Sequence, residues 1–116
     1  MKRIVVLALA AAALALAGLG QAATPRLVGE VGPSFTIEVT KGGKDVKTLK
    51  AGTYKIKVED KASIHNFHLF GPSLNKKTGV PFKGTVTWTI KLKKGRYTYQ
   101  CDPHHASGMK GTFRVI

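Results

Sequence analysis

Nine residues near the C-terminus hold most of the chain's capacity for chemistry. Cys101-Asp102-Pro103-His104-His105-Ala106-Ser107-Gly108-Met109 contains the only cysteine, two of the four histidines and the only methionine besides Met1. A thiolate and a thioether are soft donors, and an imidazole is borderline. Copper needs such a mixture if one site is to hold both Cu(I) and Cu(II) with little rearrangement. Two imidazoles and a thiolate in a near-trigonal set, with a weak axial thioether, meet that need. Cys101, one loop histidine and Met109 supply three of the four donors.

The second imidazole must come from outside the loop, where His65 and His68 remain. Alternation along Ile64–Phe70 puts His65 on one face with Phe67 and Leu69, and His68 on the other with Asn66 and Phe70. Both faces carry an aromatic residue, so period alone leaves the choice open. Position favours His65, which stands at the mouth of the segment straight after the polar stretch Glu59–Ser63. His68 lies deeper, near Gly71-Pro72, where it would face solvent, a neighbouring side chain or a second, weaker metal site.

These donors need a scaffold, and the chain reads as short strands throughout. Ser34–Thr40 alternates with Phe35, Ile37 and Val39 on the inner face. Thr53–Glu59 does the same with Tyr54, Ile56 and Val58, and Thr85–Leu92 with Val86, Trp88, Ile90 and Leu92. Arg96–Cys101 and Gly111–Ile116 bracket the loop. Leu27, Val28 and Val31 can form an edge strand, Val46–Leu49 is a weak strand, and Leu74–Gly84 reads as an irregular connection. Gly- and Pro-bearing turns separate these runs, and no helical periodicity follows the N-terminal segment. The pattern predicts an all-β antiparallel sandwich of about seven to eight strands.

Residues 1–22 stand apart from this domain. Lys2 and Arg3 precede an apolar run from Ile4 to Leu19, and Gly20-Gln21-Ala22 offers small residues at a cleavage site. The segment reads as a secretory signal peptide, leaving 23–116 as one domain in the periplasm or outside the cell; an uncleaved anchor is the alternative. A lone cysteine in an oxidising compartment cannot form an internal disulfide, and a metal would protect it. The formal charge of +13 favours an acidic partner protein over nucleic acid, for which no motif is present. Many of the lysines alternate with apolar residues, as on a solvated face.

Tyr99-Gln100-Cys101-Asp102-Pro103-His104, Met109 and the upstream pair His65-Asn66 together resemble the copper signature of the cupredoxin family, most closely its plastocyanin-like branch. Two residues separate Cys101 from His104 and four separate His104 from Met109, as in that family. The resemblance implies a Greek-key sandwich and one type 1 (blue) copper ion held by His65, Cys101, His104 and Met109. It implies that Asn66 ties the two ligand segments together, and that a monomer carries one electron between larger redox proteins. Two departures stand out. His105 follows His104 directly and is an alternative ligand, although Pro103 favours the family register. His68 has no counterpart in the pattern. No carboxylate pair or nucleophile with a base points to catalysis. Copper binding or delivery without redox turnover is the competing reading.

Overall fold

The computed structural model describes residues 23–116, a two-sheet sandwich; the leader assigned to 1–22 lies outside the described residues. The first sheet is ordered β3-β2-β1-β5-β8, from β1 (Arg26–Val31), β2 (Ile37–Lys41), β3 (Lys44–Asp45), β5 (Gly52–Asp60) and β8 (Gly84–Leu92). The second is ordered β4-β10-β9-β6-β7, from β4 (Thr48–Leu49), β6 (His68–Gly71), β7 (Leu74–Lys77), β9 (Gly95–Gln100) and β10 (Lys110–Val115). One 3-10 turn, His105–Ser107, lies in the loop between β9 and β10.

The all-β sandwich is as expected, with ten strands rather than seven or eight, and it is not purely antiparallel. β1 runs parallel to β5, and β4 parallel to β10. Between β1 and β5 the chain makes the β2–β3 hairpin and crosses to the second sheet at β4, a connection long enough for parallel pairing. The weak strand expected at Val46–Leu49 is this crossing. β1 is no edge strand: it lies between β2 and β5, with Leu27 and Val31 buried. β7 was hidden in the expected connection because its exposed Asn75, Lys76 and Lys77 lack an apolar alternation.

The core is built from inward residues of both sheets, including Leu27, Val39, Ile56, Val58, Leu69, Leu92, Tyr97, Phe113 and Val115. Each large apolar side chain so buried contributes roughly 1.5–3 kcal/mol. Trp88, expected among the core residues, is only half-buried. Its strand β8 is the edge of the first sheet, with no further strand beside it. The aromatic rings settle where neighbouring strands carry no Cβ. A side chain on Gly29 would come within 2.6 Å of the Phe67 ring, and those on Gly71 and Gly111 would run into Tyr97 and Tyr99.

Strand ends define the functional end of the sandwich. β9 delivers Cys101, β10 departs from Met109, and the segment before β6 brings His65, Asn66 and Phe67. Those three residues are buried but outside any strand, so β6 begins at His68, later than expected.

Candidate copper centre

Two segments meet at that end. His65 and Cys101 are wholly buried, as is Met109, whereas His104 is half-buried. The Nδ1 atoms of His65 and His104 lie 3.1 Å apart. Cys101 Sγ stands 3.7 Å from His65 Nδ1 and 3.4 Å from His104 Nδ1. A point equidistant from the three atoms is about 2.0 Å from each, against roughly 2.0–2.3 Å for metal bonds to imidazole and thiolate. Three donor atoms of the right softness thus surround a metal-sized position, and the residues fit copper.

Local backbone chemistry sets this arrangement. Cys101 N–H donates to Met109 O and Met109 N–H donates to His104 O, which closes the loop on itself (3.0 and 3.3 Å). Gly108, with φ of 101°, takes the left-handed turn that reverses the chain before Met109. His105 is exposed at the start of the 3-10 turn, outside the group formed by His65, Cys101 and His104. His65 Nε2 and Asp60 Oδ2 are the buried side-chain atoms without a hydrogen-bond partner among the described residues. Burial pushes the Asp60 carboxyl above its ordinary value, against the opposing effects of the Ala62 N–H and the charge of His65.

A polar clamp surrounds the ligand loop. Asn66 accepts from Asp102 N–H at 2.7 Å and donates through Nδ2 to Asp102 Oδ2 at 3.0 Å and to Thr78 O at 3.2 Å. Thr78 Oγ1 accepts from Phe67 N–H at 2.9 Å. Asp102 Oδ1 takes Gln100 Nε2 at 2.9 Å and His68 Nδ1 at 2.8 Å. Burial raises the Asp102 carboxyl, but the donors from Gln100, His68 and Asn66 outweigh it and hold it down at about 2.

Phe35 departs from expectation. It lies outside β2, is 57% exposed, and sets its ring edge-on to His65 and His104 at 5.2 and 4.6 Å between centroids. Sequence alternation assigned it to the core because it extends the Ile37, Val39 series; the strand begins only at Ile37. Thr78 was also missed, since it follows two lysines in what looked like a loop. With Ile64, 52% exposed, Phe35 leaves apolar surface at the end that holds His104.

A two-sheet sandwich with a cysteine sulfur beside two imidazoles at one end has the donor set of a small copper-binding protein. The chain belongs to the copper-binding proteins of the plastocyanin/azurin family, whose pattern matches residues 33–116. It superposes on rusticyanin, a copper protein, with a TM-score of 0.63 and 22% identity over 83% of this chain and 80% of that one. For rusticyanin from Thiobacillus ferrooxidans the TM-score is 0.53 and the identity 25%, over 83% and 79% of the two chains. A multi-copper oxidase from Pediococcus acidilactici matches at a TM-score of 0.55 and 17% identity, covering 84% of this chain but 27% of the oxidase. No curated protein matches at a significant level.

Proposed function

We propose that this protein is an exported one-electron carrier with a single type 1 copper ion held by His65, Cys101 and His104, with Met109 as the weak axial donor. The observation that carries the reading is the triangle of two Nδ1 atoms and one Sγ, two of its three residues wholly buried, with sides of 3.1, 3.4 and 3.7 Å. Copper supplies the Cu(I)/Cu(II) couple. The protein's part is to keep the donors in place in both states, so that little moves when an electron arrives. The loop-closing backbone bonds and the Asn66–Asp102 clamp do this from both ligand segments. His65 and Cys101 are closed off from water, while His104 is half-buried beneath Phe35 and serves as the route for the electron. Such a closed site favours a carrier over an enzyme.

Residues 1–22 act as a cleaved export signal, placing 23–116 in the periplasm or outside the cell. Among the described residues no helix is long and apolar enough to cross a membrane. The strong excess of Lys and Arg suits an acidic redox partner, with an association rate that falls as salt rises.

Adding Cu(II) to the purified apo-protein tests the reading. An intense visible thiolate-to-copper band with reversible voltammetry is expected, lost in Cys101→Ser and His65→Ala and kept with an altered potential in Met109→Leu. A pale complex with exchangeable copper and no reversible wave would point to copper delivery instead. A band that survives Cys101→Ser would sink the ligand assignment.

A further inference from the structure

Charge is distributed unevenly along the sandwich. Five of the six acidic side chains lie in the half that holds His65 and Cys101. Asp102 follows Cys101 and Asp60 ends β5, while Glu30, Glu38 and Glu59 sit one register step behind Asp60, side by side on β1, β2 and β5. Lys57 and Lys61 pair with Glu59 and Glu30 at 3.1 and 2.9 Å. The opposite end is basic. Its turns carry Lys41 and Lys44, then Lys50, then Lys93 and Lys94, all exposed; Asp45 is the remaining acidic side chain and lies there. β9 has 6 residues, so this end stands about 20 Å from Cys101 at the usual rise per residue.

Arg96 on β9 and Arg114 on β10 are exposed and directly opposite each other at that end. Like charges in register repel, and among the described residues neither arginine has an ion-pair partner. An anion from outside the chain would relieve the pair. Ile116, 61% exposed, lines one groove with Lys94, Arg96 and Arg114. A redox partner has to approach His104, at the other end. Cations around an exposed apolar side chain suit a lipid bilayer, whose anionic headgroups meet the charges while its acyl region takes the apolar group. The chain also enters the domain here: residues 23–25 lead into β1 at Arg26, and the apolar run Ile4–Leu19 precedes them in sequence. While that run is attached, this is the end that faces a bilayer. We propose that the basic end docks the domain on an anionic lipid bilayer and points the copper end away from it, toward the redox partner. The role goes beyond electron carriage and needs no copper in the site.

Flotation of the exported protein with vesicles tests this, and its mass reports separately whether residues 1–22 are gone. Vesicles of phosphatidylcholine mixed equally with phosphatidylglycerol should carry the protein at low salt and release it at high salt; phosphatidylcholine alone should not carry it. Each basic side chain near an anionic surface strengthens binding about fivefold. The triple variant Lys94→Gln/Arg96→Gln/Arg114→Gln should therefore weaken binding about 100-fold, and Lys41→Gln/Lys44→Gln, on a separate turn, about 30-fold. Removing three charges nearer the copper end, in Lys76→Gln/Lys77→Gln/Lys83→Gln, should weaken it far less. Equal weakening by the two triple variants, or no binding to the mixed vesicles, would overturn the proposal. Binding to poly-glutamate without binding to the mixed vesicles would assign the basic end to an acidic protein and overturn it as well. Retention of residues 1–22 would refute the cleavage reading alone. Docking by the basic end is then read from the salt-sensitive excess on mixed over neutral vesicles, and persistence of that excess in Lys94→Gln/Arg96→Gln/Arg114→Gln would refute it.

Discussion

Asn66→Ala tests the clamp on which a rigid copper site depends. Asn66 is 2% exposed and makes three hydrogen bonds, accepting from Asp102 N–H and donating to Asp102 Oδ2 and Thr78 O. Alanine leaves those groups without their partner, and each buried polar group left unsatisfied costs about 1–3 kcal/mol. Thr78 is itself buried and bears the full cost, whereas Asp102 is partly exposed and water recovers part of its loss. The sum is about 2–4 kcal/mol, a large share of the ~5–10 kcal/mol expected for a domain of this size. Urea unfolding of the reduced apo-protein provides the assay. At an unchanged slope of about 1.5 kcal/mol/M the midpoint should fall by roughly 1–3 M. Hydrogen exchange at the Asp102 amide should accelerate along with it. A midpoint shift below about 0.3 M, which is under 0.5 kcal/mol at that slope, would show that the clamp does not hold the two ligand segments together.

Two further outcomes follow from the same geometry. Gly71→Ala pushes a methyl group into the Tyr97 ring and should destabilise the apo-protein by about 1–3 kcal/mol in the same urea assay; an unchanged midpoint would contradict the packing. The Asp102 carboxyl is held at about 2, below its ordinary 3.8. A depressed carboxyl contributes stability above its unfolded value and loses it as pH falls toward the folded one. The full shift corresponds to about 2 kcal/mol, reduced to about 1 kcal/mol because the carboxylate is partly exposed and screened. Between about pH 4 and pH 2 the apo-protein should lose that increment, and Asp102→Asn should not; equal losses in both would refute it.

Most of the sandwich was legible because its long strands carry a clean two-residue period. β5 and β8 keep their inner residues at every second position from Tyr54 to Val58 and from Val86 to Leu92. What period could not convey was pairing: the parallel contacts of β1 with β5 and β4 with β10 depend on where the chain crosses between sheets. The grouping of Cys101 and His104 with His65 was legible from donor chemistry and spacing. Its surroundings were not, since Thr78 and Phe35 reach the site only through tertiary folding. His68 stood out as an unexplained histidine, but its partner Asp102 looked like an ordinary loop residue beside Pro103. His65 and His68 could not be separated by alternation because the segment before β6 is not a strand, and the two rings go to different places.

The central claim is that Cys101 and two imidazoles together hold one copper ion. X-ray absorption at the copper edge of the loaded protein tests it most directly. The triangle of His65, His104 and Cys101 donors predicts two nitrogen scatterers and one sulfur in the nearest shell, at roughly 2.0–2.3 Å. A nearest shell of nitrogen and oxygen alone, with no sulfur at that distance, would contradict the account.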